Sequence, residues 1–161
     1  MIITGSFVIL LAIVFILVWL FMNTVDHRKW LTFLVSLVLA PIIYFYVFYP
    51  LLNIFSSYHH QKHFNAKAWK ESPALRYEMS HEILNDSLFI GKNKIEVTQL
   101  LGESEWYGWD DALKVYSPNK WNYNMGLKPG AFNNMQECLE LQFEDNNVES
   151  VRLYQLERTF E

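Results

Sequence analysis

The sequence predicts a two-span transmembrane α-hairpin followed by a small α+β domain. Three observations predict it. Residues 1–25 and 30–58 carry no charged side chain, and all but three of the chain's charged residues follow residue 58. Each uncharged run reaches the roughly 20 apolar residues that a helix needs to cross a bilayer. After residue 102 the apolar residues change from helical spacing to alternation, the period of β-strands. In a chain of 161 residues this leaves room for one small domain beside the hairpin.

The hairpin is predicted over residues 1–58, with spans at about 3–22 and 31–55. Asn23–Lys29 is a short polar joint holding the three early charges, Asp26, Arg28 and Lys29. Trp19 and Trp30 flank the joint, and Tyr44, Tyr46, Tyr49 and Tyr58 populate the opposite end. Such aromatic residues favour the membrane interface. Pro41 and Pro50 should kink the second span, because each removes a helical N–H. A cleaved signal is not expected, since no basic n-region precedes the first run and no A-x-A site follows it. Basic residues number two in the joint, Arg28 and Lys29, and three beyond the second span, Lys62, Lys67 and Lys70. Counts this close do not choose a side of the membrane for the domain. A single cysteine, Cys138, excludes an internal disulfide.

Residues 59–71 read as a basic juxtamembrane linker suited to anionic headgroups, and residues 72–161 as the domain. From residue 81 onward acidic groups outnumber basic ones two to one, which argues against nucleic acid as a partner. A helix is predicted from Ser72 as N-cap and Pro73 as first residue, with Leu75, Met79 and Ile83 on one face and an end at Asn85-Asp86-Ser87. A second, shorter helix follows Gly91. Asn93 caps it, Glu96 completes a capping box, Val97, Leu100 and Leu101 form its apolar face, and Gly102 closes it in a left-handed conformation. Trp121, Tyr123 and Met125 then alternate with asparagines, and Leu139, Leu141 and Phe143 alternate with Glu140, Gln142 and Glu144. Asp145-Asn146-Asn147 is a turn, and Val148–Leu156 returns as another strand. The expected domain is two helices packed on a three- or four-stranded antiparallel meander.

The string GKNKIEVTQLLG, the later W-x-Y and the later L-x-F-x-D-x-x-V together resemble the SmpA/OmlA domain, the BamE-like fold. The matching residues are Gly91, Asn93, Glu96, Val97, Leu100, Leu101, Gly102, Trp121, Tyr123, Leu141, Phe143, Asp145 and Val148. The resemblance covers about residues 73–156 and none of the hairpin. It implies a scaffolding or inhibitor-like binding role. Two features differ: two spans stand in place of the lipobox cysteine, and Glu103-Ser104-Glu105 follows the second glycine, where the family often has proline. An integral protein of the bacterial inner membrane is therefore implied, rather than an outer-membrane lipoprotein.

Two clusters are candidate sites. His59, His60 and His63 form H-H-x-x-H, which on a helix would set His59 and His63 on one face as metal ligands. The competing reading is a polar exit from the membrane. Trp106, Tyr107, Trp109, Asp110 and Asp111 crowd a predicted loop, where aromatic rings beside carboxylates suit a partner, a peptide or a sugar. The competing reading is a lid over the core, and the expectation for each ring is that Trp106 is buried while Tyr107 and Trp109 are partly exposed. No nucleophile elbow, Walker A, dinucleotide fingerprint or H-E-x-x-H is present, so neither an enzyme nor a cofactor is expected. The expected function is a membrane-anchored binding or scaffolding protein, an accessory subunit that contacts the bilayer and a membrane-protein partner. Two alternatives are an inhibitor or sensor acting through residues 106–111, and a membrane-bound metal-dependent enzyme using the histidines.

Overall fold

A computed structural model describes residues 1–85 and 87–158; Asp86, expected at a helix end, lies outside the described residues. The chain forms two compact units. One is Ile2–His60 with Pro129–Phe132, and the other comprises Met1, Gln61–Lys128 and the chain from Asn133 onward.

In the first unit α1 spans Gly5–Val25, with Thr4 as its N-cap. The second long helix runs through α2 (Lys29–Ile43), a π-turn (Tyr44–Phe48) and α3 (Tyr49–Phe55). Both long helices are long and apolar enough to cross a membrane. They meet along a seam in which Thr32, Ser36 and Ala40, spaced by four, face Phe7, Val14 and Val18. Small residues at that spacing let two helices approach closely. The Thr32 hydroxyl donates to Asn23 Oδ1 at 2.7 Å, and Ser36 Oγ donates to the Thr32 carbonyl at 2.7 Å, so these two seam hydroxyls are satisfied locally. Of the two prolines expected to kink this span, Pro41 lies inside α2 without ending it, and the helical bonding changes only at the π-turn ahead of Pro50. Pro50 has no N–H for the carbonyl four residues back, and the wider turn, in which the Tyr49 N–H reaches the Tyr44 carbonyl, shifts the bonding frame just ahead of it.

The second unit contains α4 (Ala66–Glu71), a 3-10 helix (Pro73–Met79), α5 (Ser80–Asn85) and α6 (Lys94–Leu101). The strands are β1 (Trp106–Asp110), β2 (Val115–Leu127), β3 (Met135–Glu144) and β4 (Asn147–Glu157). They form one antiparallel sheet in the order β1-β2-β3-β4. The core lies between the helices and one sheet face. It contains Trp69, Met79, Ile83, Phe89, Val97 and Leu101 against Trp121, Tyr123, Met125, Leu139, Leu141 and Phe143.

Several local expectations hold. Asn93 and Glu96 form the reciprocal capping box, at 3.0 and 2.8 Å. Asp145 and Asn146 both take positive φ between the paired residues Glu144 and Asn147, as a two-residue hairpin turn requires. Gly102 does have positive φ, +89°, but its ψ of −176° lies outside the left-handed helical well; this is backbone that glycine alone enters readily.

Other expectations are corrected. The helix over 72–85 is two pieces, and Ser72 makes no side-chain cap. At three residues per turn Arg76, not Leu75, shares the inward side with Met79, and Leu75 turns to the surface. The 3-10 segment lies so close to β2 that a Cβ on Gly126 would fall 2.2 Å from the Ala74 carbonyl oxygen. Residues 61–71, expected as linker, belong to the domain. Asn65 caps α4 through the Ala68 N–H, and Trp69 is fully buried with its indole donating to the Leu101 carbonyl at 3.2 Å. A charged tract hid this anchor, because Lys67, Lys70 and Glu71 form the exposed side of the same short helix.

Arg76 ties these pieces together. Its guanidinium lies 4.5 Å over the Trp69 ring and donates to the Trp69 carbonyl (2.8 Å), the Asn124 carbonyl (2.8 Å) and Glu105 Oε1 (2.5 Å). Glu105 in turn accepts from the Asn124 N–H at 2.9 Å. A buried charge is tolerated when its donors are spent in this way.

Candidate partner-binding surface

The predicted loop 106–111 is mostly strand. Trp106–Asp110 is β1, one of the two edge strands, paired within the sheet with β2 on one side only. Such an edge presents backbone N–H and C=O groups to a partner. The sequence hid the strand because its alternation is broken. The register shifts between Tyr107 and Trp109, at Gly108. A side chain there has no room: a Cβ would fall 2.9 Å from both Glu140 Oε2 and the Lys120 Cβ.

The strand divides the proposed site residues between two faces. Tyr107 lies opposite Trp121, on the side of the core, and is half-exposed. Trp106 lies opposite Asn122, on the face away from the helices, and is half-buried rather than sealed. Trp109 lies opposite Tyr116, and their rings meet edge to face at 5.3 Å. Trp106, Tyr107 and Trp109 therefore do not form one binding loop.

Asp110 and Asp111 serve the turn. Asp110 Oδ1 accepts the Ala112 and Leu113 N–H groups at 2.9 and 3.1 Å, with Lys120 3.7 Å from its other oxygen. The Leu113 N–H, with help from Ala112 and Lys120, holds the Asp110 carboxyl below its ordinary pKa. Asp111 is exposed, with Lys114 at 4.0 Å. Neither carboxylate is set up for proton transfer to the other.

On the sheet face away from the helices, a polar layer packs under the aromatic rings. Asn122 is fully buried there, accepting from the Tyr154 hydroxyl at 2.9 Å. Burial pushes the Tyr154 pKa up to about 12. Arg152 pairs with Glu140 at 2.9 Å and lies over the Tyr154 ring. Cys138 is buried in this layer, and burial raises its thiol pKa, as expected of a structural thiol. Sequence reading missed Tyr116, Asn122, Arg152 and Tyr154, which come together only through strand register.

Beyond this layer the β1–β2 pair runs on as a two-stranded arm, because pairing of β2 with β3 begins only at Lys120. Trp109, Leu113, Val115 and Tyr116 are all exposed on that arm. Its chemistry is that of a docking surface: large rings of low conformational entropy beside an open strand edge.

The three histidines are not brought together. Ser56 ends α3 in an extended conformation, so residues 56–65 form no helix that could set His59 and His63 on one face. His60 is buried among Phe7, Tyr44, Phe45, Tyr49 and Tyr58 in the first unit. His63 belongs to the second, where its Nδ1 lies 3.1 Å from Glu82 Oε1. Glu82 also accepts the Phe64 N–H, and that bond, then His63, lowers its pKa. Among the described residues no three His, Cys, Asp or Glu side chains are grouped to hold a metal ion.

No family model, no curated protein and no solved structure matches the chain.

Proposed function

We propose that the chain is a membrane-anchored binding protein, an accessory or scaffolding subunit of a membrane assembly. In this reading the hairpin sits in the bilayer, and the β1–β2 arm takes a partner polypeptide. Support for the anchor comes from the outer surface of the two long helices, where Ile9, Leu17, Phe21, Leu34 and Val38 stand exposed. A helix apolar all round and left uncovered is suited to lipid rather than water. The resemblance of residues 73–156 to the SmpA/OmlA domain points to binding as well.

The observation that carries the partner reading is the arm itself, which exposes Trp109, Leu113, Val115 and Tyr116 together. Rings held this way favour a polypeptide over water. The test is a double variant, Trp109→Ala with Tyr116→Ala, purified from membranes in mild detergent. Stability should change by less than about 1 kcal/mol, since Tyr116 is largely exposed and Trp109 half-exposed, and their main contact is with each other. Proteins that copurify with the unaltered chain, and that crosslink to a photoreactive residue at Leu113, should be lost. Recovery of the same set at full yield would overturn the reading.

A further inference from the structure

Phe132 has 92 % of its surface exposed, the most of any large apolar residue described. It stands in Pro129–Phe132, a short loop that belongs to the unit of the two long helices. The Ala131 N–H donates to the Ile54 carbonyl at 3.1 Å, one of the last carbonyls of α3. Those carbonyls have no partner within their own helix, so the loop supplies a cap. Beside it Phe55 is 83 % exposed, and Leu51 and Ile54 also face outward.

The helix length says where this cap lies. Lys29–Phe55 is 27 residues, about 40 Å at 1.5 Å per residue, against about 30 Å of hydrocarbon. Trp30 marks the interface at the Lys29 end. Counting roughly 20 residues from Phe33 brings the opposite boundary to about Asn53. Ile54, Phe55 and the loop bonded to Ile54 thus fall at the headgroup–acyl boundary. Tyr49 and Tyr58, whose rings meet at 6.2 Å, lie at the same end.

We infer that Pro129–Phe132 is an interfacial membrane anchor, with the Phe132 ring inserted among lipid beside Phe55. The loop is a third contact with the bilayer, contributed from the β2–β3 connection. An exposed phenylalanine at this boundary gains burial of apolar area when lipid covers it, and the neighbouring Ala131 N–H is already satisfied by the helix end. This inference rests on the membrane reading of the hairpin, and its test separates the two.

Single cysteines replace Phe132, Val38 and Glu149 in the full chain, which is spin-labelled and reconstituted into phosphatidylcholine vesicles. Cys138 is buried, and the unsubstituted chain sets the labelling background. Collision of each label with oxygen and with a water-soluble nickel chelate reports its depth. Phe132 is too exposed for its replacement to disturb folding. The label at 132 should collide with the chelate several-fold less than the label at 149, and with oxygen more. The label at 38, on the exposed side of α2, should lie deeper still. A label at 132 as accessible to the chelate as that at 149, with 38 protected, would overturn the anchor alone. Chelate access at 38 as well would overturn the membrane reading and the anchor with it.

Discussion

In the helical unit the small residues Thr32, Ser36 and Ala40 are shut away together with Phe7, Val14, Val18 and Tyr44, while Ile9, Leu17, Phe21 and Val38 face outward. In the sheet unit Trp69, Phe89, Tyr123 and Leu141 are shut away, while Lys67, Lys70 and Glu71 face outward. With the hairpin in lipid, as proposed above, both arrangements follow from one rule, that each surface matches its solvent. Where lipid is the solvent, large apolar side chains lose nothing by facing it, and helices associate by close approach through small residues. Where water is the solvent, burial of large apolar area drives folding, at about 25 cal/mol per Å². Volume is therefore critical at different places: a large residue removed from the domain core, or a large residue added to the hairpin seam.

The largest expected effect is in the domain. Trp69→Ala should destabilise it by about 3–5 kcal/mol, the usual cost of emptying a buried large-aromatic site. It also removes the ring beneath Arg76 and the donor to the Leu101 carbonyl. Faster hydrogen exchange of the β3 amides in the detergent-solubilised chain is the measurement; unchanged exchange would break the contrast at its water-facing end.

In the hairpin the sensitive change is the reverse. Ser36→Leu should cost about 1–3 kcal/mol by overpacking the seam, whereas Val38→Leu, pointing outward two residues on, should change stability by less than about 0.5 kcal/mol. Thermal loss of helical circular dichroism in detergent compares the two. Equal effects would mean that the seam is not the contact between the helices.

The smallest effect sharpens the comparison where solvent matters least. Asn93→Ala should cost about 1 kcal/mol, because the cap serves α6 alone. Chemical denaturation of the full chain in detergent should show that loss, and a null result would assign the end of α6 to tertiary packing instead of its cap.

Legibility from sequence divides along the range of the interactions. The capping box at Asn93 and Glu96 and the Asp145-Asn146 turn were legible because every partner lies within a few residues. The β1 strand was not, because Gly108 breaks its alternation at an irregularity in register, and the Lys120 and Glu140 side chains that leave no room for a Cβ there are distant in sequence. The candidate surface shared that fate. Trp106 and Trp109 are legible as residues, but Tyr116 is set against Trp109, and Asn122 opposite Trp106 with Tyr154 bonded to it, only by register. Trp69 and Arg76 were hidden in charged surroundings, since nothing local marks one as core and the other as a buried clasp.

By itself, then, the sequence determined the two long apolar helices, the polar joint between them, the ends of α6 and the alternating strands β2 to β4. Those features follow from runs, periods and caps that each segment carries alone. Tertiary structure decided that residues 61–71 join the domain, that Pro73–Met79 winds as a 3-10 helix against Gly126, that β1 is a strand, and that the three histidines part company. In each of these cases several local conformations are close in free energy, and a contact with a distant partner selects one of them.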